Sequence, residues 1–545
     1  MRSLLLSFAG FLFAIQSFAQ VPFFEWAKTG QSVGWQECYS ITSDGQSNLF
    51  VSGSFFATTL TLDNVSLTCF GSNDILLAKF DSVSNMSWAV RAGGNSDDEC
   101  KDIAADNIGH LFIAGSFTSS NIPFGPDTVF QSGTGTTAFI AMYDTAGNPV
   151  WARAFAGFAV VNSVSTDGSG NCYVTGNFDA PKLRLGTDSI TSAGSTDVFI
   201  AKFDVTGSLE WMKSIGGTGA DAGVACDVHH NLLYVTGNSG SAVFTADTFH
   251  LPHYLNLDVF LACLDTSGQV RWAKNYGGNT LEHCNTVTTD QDGNAFICGE
   301  YNSALFFTGD DTLAGTGGLN AFLIKVDSAG HTLWMKNVQG VGNSTGYAVQ
   351  PTATGVYFAG GFNAPVITID TATVHFPSNG YDPMFIARYD TAGNLQWTIG
   401  LPSGGDDRND FAFCSDNTVY AAGDFYNVSP FILGCDTLLQ TSTENIFFGK
   451  LGYQHCADSI PPTGIEPVTG LHTIIYFDPV NQQLIAGSPH QDTSDLVVYD
   501  LLSHEIIHRN FNGSIFIDTH DVAKGTYYYE LRSKEGLLNG KIIIN

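Results

Sequence analysis

The sequence predicts an all-β chain: a seven-bladed β-propeller closed by an N-terminal strand, followed by a small C-terminal β-sandwich. Three observations predict it. A tryptophan inside an apolar-flanked strand recurs at Trp26, Trp88, Trp151, Trp211, Trp272, Trp334 and Trp397, at steps of 62, 63, 60, 61, 62 and 63 residues. Self-similarity at such a period marks a repeat architecture whatever the chain length. Only Trp35, of eight tryptophans, falls outside the series. Composition agrees: 59 glycines and 14% charged residues among 44% hydrophobic ones suit short buried strands joined by tight turns. The chain also opens on a lone tryptophan strand, Phe24-Glu-Trp-Ala-Lys28, while the seventh copy stops at Phe447-Phe-Gly-Lys-Leu-Gly452 without one. Residues 23–29 are therefore expected to supply the missing last strand and seal the ring.

Each unit has four strands. In the second copy, Asp102-Ile-Ala-Ala-Asp106 alternates and turns through Asn107 to Gly109 into His110-Leu-Phe-Ile-Ala-Gly-Ser-Phe117. A longer insertion leads to Phe139-Ile-Ala-Met-Tyr-Asp144, then a Thr-Ala-Gly-Asn turn and the strand around Trp151. Asp, Gly and Asn at the turns tolerate the left-handed backbone of tight hairpins. The second strand carries Gly53, Gly115, Gly176, Gly237, Gly299, Gly360 and Gly423. A strand glycine predicts a bulge or a close backbone approach, here where neighbouring blades converge. Radial packing of such units leaves only short, protected edges.

The N-terminus reads as a secretory signal over 1–19. Arg2 is its positive start, Leu4 to Ile15 its apolar core, and Ser17-Phe18-Ala19 its small-residue cleavage site. The apolar run is too short to anchor in a bilayer, and no later stretch reaches membrane-spanning length, so an exported, soluble chain is expected. Eleven cysteines include no Cys-x-x-Cys pair, so no zinc or thioredoxin-type motif is signalled. Cys38, Cys100 and Cys284 each follow a repeat tryptophan by twelve residues and are copies of one position. Cys284 and Cys298 could face each other across a hairpin, but buried free thiols are the general expectation. A formal net charge of -30 argues against nucleic acid or an anionic membrane as a partner, because phosphate binding needs clustered cations.

The repeats resemble the bacterial seven-bladed β-propeller repeat family over about 21–454, through runs of the Gly-Asn-x-Tyr-Val-Thr-Gly and Phe-x-Ala-Lys-Phe-Asp type. The resemblance implies the fold and no activity, since propellers host many unrelated functions. The propeller is placed at 20–454. Residues 455–470, with Pro461-Pro462 and Pro467, read as a linker. From 471 to 545 the tryptophans stop. This tail resembles the type A C-terminal sorting domain of the Bacteroidetes type IX secretion system, in Val498-Tyr-Asp-Leu-Leu-Ser-His-Glu505, Val522-Ala-Lys-Gly-Thr-Tyr-Tyr-Tyr529 and Gly540-Lys-Ile-Ile-Ile-Asn545. The usual Pro-Asn-Pro opening is degraded to Phe477-Asp-Pro-Val-Asn481, and Ser503 replaces a glycine. The resemblance implies a small β-sandwich read by the export machinery, with release or cell-surface attachment via the periplasm.

With the tryptophan strand outermost, links between units and the long insertions share one end of the disc, and tight turns occupy the other. The loop-rich end is the candidate binding surface. Ten residues after four repeat tryptophans stand Asp98, Asp221, Glu282 and Asp407; the other copies place Gln36, Val161 and Ser344 there. Converging carboxylates could bind Ca²⁺, which takes six to eight oxygens; solvated turn acids at a channel mouth are the plainer reading. No other cofactor is signalled. Asp290-Gln-Asp-Gly-Asn294 is explained as a hairpin turn, and His229-His230 are expected to point apart on an extended backbone. Gly-x-Ser-x-Gly, His-Glu-x-x-His and phosphate-loop patterns are absent. The sequence therefore reads as an exported or cell-surface binding or adhesion module. Its expected partners are the type IX machinery and a glycan or cell-surface protein. The alternative is a secreted polysaccharide-acting hydrolase or lyase using the acidic loops.

Overall fold

A computed structural model describes residues 23–545 apart from 376–382, 402–417, 426–430, 434–435, 439–444, 453–473, 479–482, 488–492, 500–503, 534–535 and single positions 57, 107, 134, 180, 310, 513, 521 and 545. Every described element is a β-strand. Residues Ala19–Cys456 form one compact unit, and Ala457–Asn545 belong to another.

The larger unit is a succession of antiparallel sheets in a propeller-like, repeat-built arrangement. Sheet 1 pairs Gln36–Ser43, Leu49–Phe55, Asp74–Phe80 and Met86–Ala92 in that order. The pattern recurs as sheet 2 (98–154), sheet 3 (159–215), sheet 4 (221–276), sheet 5 (282–340) and sheet 6 (344–401). The last sheet is assembled from both ends of the chain: Asn445–Gly452 lies between Val419–Phe425 and Phe23–Thr29. Residues 23–29 thus occupy the place of a fourth strand, with Trp26 opposite Lys450 and Thr29 opposite Phe447.

Burial follows strand position. First strands alternate buried and half-buried residues, whereas second and third strands are buried along nearly their whole length. Continuous burial requires cover on both faces, which the neighbouring sheets supply. An apolar cluster fills each junction: Phe50, Ile75 and Leu77 of sheet 1 meet Leu111, Ile113 and Phe139 of sheet 2. At the ends, Phe24, Phe447 and Val419 pack on Ile386 and Trp397 of sheet 6. Trp26, Tyr420 and Phe448 pack on Ile41, Val51 and Phe80 of sheet 1. The closing sheet therefore has a neighbour on each face.

The repeated tryptophan does more than fill this core. Its indole N–H donates across the junction to the turn between third and fourth strands of the next sheet. Trp88 reaches the Thr145 carbonyl at 3.1 Å, Trp151 that of Val205 at 3.0 Å, Trp211 that of Thr266 at 3.1 Å and Trp272 that of Ser328 at 2.9 Å. Trp26 does the same to Ser82 of sheet 1 at 3.1 Å. In four of these turns a glycine takes a positive φ and leaves no room above the indole: a Cβ on Gly207 would stand 2.6 Å from the Trp151 ring; in the turn that receives Trp26 the positive-φ residue is Ser84. Trp334 and Trp397 make no such bond, and the Nε1 of each is buried without a partner. For Trp397 the closing sheet draws its third and fourth strands from opposite chain ends and has no turn to offer, whereas Trp334 lies against the Asp390–Asn394 turn of sheet 6 without making the bond.

The strand glycines sit opposite a bulge in the first strand, at the same register in sheets 1 to 6. A Cβ there would meet a carbonyl oxygen of the sheet's own first strand at about 2 Å, for example Glu99 at 2.0 Å from Gly115 and Val160 at 1.9 Å from Gly176. The bulge is as expected; the close approach lies within one sheet rather than between neighbours. Cys38, Cys100 and Cys284 all pair with that glycine, as copies of one position should. The same bulge sets Cys284 out of line with Cys298, and the eight described cysteines are free thiols.

In the second unit, a sheet of Ile474–Asp478, Gln483–Gly487 and Ser514–Asp518 and a sheet of Glu505–Asn512, Thr493–Tyr499, Gly525–Ser533 and Gly536–Ile544 share one apolar cluster. Leu484 and Ile517 of the first meet Leu496, Val498 and Leu531 of the second.

Candidate functional site

Antiparallel pairing fixes which loops share an end. Links from fourth to first strands lie with the insertions that follow second strands, and the short turns lie at the opposite end. Most insertions are two-stranded hairpins whose inward residues, such as Ile122, Leu183, Phe244 and Phe306, are fully buried. Several also pair with the end of the preceding sheet's fourth strand. Ala156 exchanges both backbone bonds with Arg184 at 2.7 and 2.9 Å, and Gln31–Ser32 pairs with Leu60–Leu62. Lys213 reaches Asp247 at 2.6 Å and Lys28 reaches Asp63 at 2.7 Å across the same junctions. The insertions are thus a second set of ties between sheets rather than free loops.

The predicted acids start the first strands, where the link turns into the sheet. Asp98, Asp221 and Glu282 are buried, at 0%, 1% and 0% exposure, not solvated at a channel mouth. Each is held inside its own sheet by the same donors. Asp98 accepts from the Gly94 N–H at 2.6 Å and the Ser119 hydroxyl at 2.7 Å. Asp221 accepts from the Gly217 N–H at 2.7 Å and from Ser239 and Ser241 at 2.8 and 2.6 Å. Glu282 accepts from the Gly278 N–H at 3.1 Å and from the Ser303 hydroxyl. Burial pushes all three carboxyls up, Asp98 to about 6. They brace the link against the following insertion, and the structure does not bring them together as a set. Asp407 lies outside the described residues. Ala159, not Val161, is the copy of this position in sheet 3, because the link after Trp151 is two residues shorter. Among the described residues no three His, Cys, Asp or Glu side chains are placed to hold a metal ion.

Two acids that spacing did not single out do connect sheets. The first strands of sheets 1 to 6 line a cavity of about 780 Å³. On its wall Asp102 accepts from the Ser40 hydroxyl of sheet 1 and the Val164 N–H of sheet 3, both at 2.8 Å. Asp227 accepts from the Ser165 hydroxyl of sheet 3 at 3.0 Å and from the Thr289 N–H and hydroxyl of sheet 5, both at 2.7 Å. Burial pushes both carboxyls up. Lys101, also on the wall, is taken up by Glu99 at 2.6 Å and lies 4.4 Å over the Tyr39 ring. Asp290 accepts from the Asp292 and Asn294 N–H groups at 3.0 and 2.9 Å, as a turn residue should. His229 and His230 touch edge to face at 4.0 Å, because His230 adopts φ 53° instead of an extended backbone.

Among the described residues, the two ends of the larger unit differ in exposed aromatic rings. Phe56, Phe70, Phe130, Phe158, Tyr254 and Phe307 are all exposed, and all lie in links or insertions. The exposed large residues at the short turns, Val83, Ile108 and Val205, are aliphatic. Two pairs of rings stack: Trp35 on Phe56, with centroids 5.9 Å apart at 16°, and Tyr254 on Phe307, at 6.0 Å and 17°. These rings follow no period along the chain; Trp35 showed itself only by standing outside the tryptophan series.

No known family's sequence profile matches the chain. It is 23% identical over 484 residues to the uncharacterized WD repeat-containing protein L264 of Acanthamoeba polyphaga mimivirus, a match covering 70% of this chain. The chain spans about a third of that relative, 34% of its length. Among solved structures, the phage phi92 endosialidase aligns over 83% of this chain and 73% of its own, at 9% identity and a TM-score of 0.37. A copper-containing fungal alcohol oxidase aligns over 96% and 100%, at 11% identity and a TM-score of 0.36.

Proposed function

We propose that the chain is an exported binding or adhesion module, a seven-bladed β-propeller that presents its link-and-insertion end to a ligand. A type A sorting domain at its C-terminus, a small β-sandwich, is recognised by the type IX secretion machinery and delivers it to the cell surface. The observation that carries the binding role is the one-sided display of aromatic rings at an end otherwise tied down by hairpins and buried acids. A rigid frame with adaptable surface positions is what a recognition surface requires. The hydrolase or lyase alternative needed accessible carboxylates, and Asp98, Asp221 and Glu282 are instead enclosed and hydrogen-bonded. Calcium, if used, would have to be held by oxygens other than theirs.

Two experiments test this. The mature chain, residues 20–545, is screened against glycans and surface proteins, with and without Ca²⁺, for both retention and turnover. Retention without product release is expected; product release lost in Asp407→Ala would replace the module by an enzyme. Deleting 471–545 is expected to trap the protein in the periplasm, and unchanged surface delivery would refute the sorting role.

A further inference from the structure

We infer that the Trp35–Phe56 pair is a stacking subsite for one pyranose ring of an uncharged polysaccharide. The inference rests on the binding-module reading and names its ligand class. The seven periodic tryptophans belong to the sheets and their junctions; Trp35 does not. It sits in the link between Gln31–Ser32 and Gln36–Ser43, where the Phe56 N–H donates to its carbonyl at 2.9 Å. The two rings lie nearly parallel, 16° apart, and Phe56 is 47% exposed. The link beneath is fixed: the Ser32 hydroxyl donates to the Gly34 carbonyl at 2.5 Å and accepts from the Gln36 amide at 2.9 Å. The platform is therefore held in place before any ligand arrives, which lowers the ordering cost of binding.

The chemistry around it selects the ligand. A flat aromatic face attracts the polarised C–H bonds of a sugar ring, and a partly apolar ring with a polar rim is the usual amphipathic binding surface. Exposed Thr58 and Thr59 follow Phe56 and supply hydroxyls for a sugar's own. A net charge of -30 disfavours acidic glycans. A protein partner would need a contiguous apolar core within an interface of roughly 1,200–2,000 Å². The stacked pairs Trp35–Phe56 and Tyr254–Phe307 instead belong to different sheets, at the link and insertion of sheet 1 and at the insertions of sheets 4 and 5, and form separate small platforms. Tyr254 on Phe307 repeats the geometry at the same end, at 6.0 Å and 17°, as a second platform.

The test is affinity electrophoresis of the mature chain through gels containing laminarin, xyloglucan or galactomannan, with polygalacturonate as the acidic counterpart and collagen-coated beads as a protein surface. Retardation by a neutral polysaccharide is expected, about tenfold weaker in Trp35→Ala and in Phe56→Ser and largely kept in Trp35→Tyr. Unchanged melting temperatures show that the variants are folded. Neutral-polysaccharide binding that both variants leave intact would overturn the subsite but not the module. Binding to collagen or polygalacturonate alone would overturn the ligand class and again leave the module standing. Binding to none of the five would overturn the inference, and sugar release would overturn the module reading beneath it.

Discussion

Replacing Gly176 with alanine separates two reasons for a glycine: blocked space and a blocked backbone. Gly176 lies in a strand with an ordinary negative φ, yet a Cβ there would stand 1.9 Å from the Val160 carbonyl oxygen and 2.9 Å from the Val161 Cα. Contacts under 3.0 Å are not tolerated, so strands Ala159–Thr166 and Cys172–Phe178 must part by 3.0 less 1.9, or 1.1 Å. That movement breaks about two ladder hydrogen bonds at roughly 1 kcal/mol each and adds about 1–3 kcal/mol of overpacking. A loss of about 4 kcal/mol is expected. Gly168 is the converse case: φ is +71° and a Cβ would meet nothing within 4 Å, so alanine should cost only about 1 kcal/mol. Urea unfolding of both variants, with the slope held common, reads the difference as a shift in midpoint. Equal losses, or a smaller loss at Gly176, would refute the close-approach explanation of the strand glycines.

Trp88→Phe should cost up to about 1 kcal/mol beyond lost ring area, because the indole bond to the Thr145 carbonyl is lost and only the longer one from Lys79 Nζ, at 3.3 Å, remains. Trp334→Phe should cost less, since the Trp334 Nε1 is already buried without a partner; urea midpoints of the two variants compare them, and equal costs would contradict a stabilising role for the indole bond between sheets. Asp98 titrates near 6 when folded and near 4 when unfolded, so the folded state holds the extra proton between those values. Its contribution to stability is therefore greatest below pH 4, declines as pH rises to 6 and is level above, by at most about 3 kcal/mol. Subtracting the pH profile of Asp98→Asn from that of the wild type isolates this slope, and a difference rising with pH would contradict it.

The repeat was legible because one residue type marks it. Tryptophan at steps of 60 to 63 marks the recurring unit, and the strand glycines mark the bulge because a Cβ has no room there. The chain's complementary ends were legible for the same reason: a strand type was missing at one end and surplus at the other. The acids were read only halfway. Counting from tryptophan finds Asp98, Asp221 and Glu282 but not the burial of their carboxylates, which depends on Ser119, Ser241 and Ser303 twenty or twenty-one residues on. A link shorter by two residues also defeats counting in sheet 3, where Ala159 takes the place assigned to Val161. Asp102 and Asp227 carry no common spacing, because each answers the donors that its own neighbours present.

Closure of the ring is the claim on which the rest stands, and one native ion pair reports on it. Lys450 Nζ lies 2.9 Å from Glu25 Oε2, joining residues 425 positions apart in the sequence, 450 less 25. Zero-length carbodiimide cross-linking followed by peptide mass spectrometry should recover a Glu25–Lys450 bond alongside local controls such as Lys202–Glu210, at 2.8 Å. Recovery of both is the result expected of a sealed ring. Recovery of the local bond with no product joining Glu25 to Lys450 would show the first strand paired elsewhere, and the ring open.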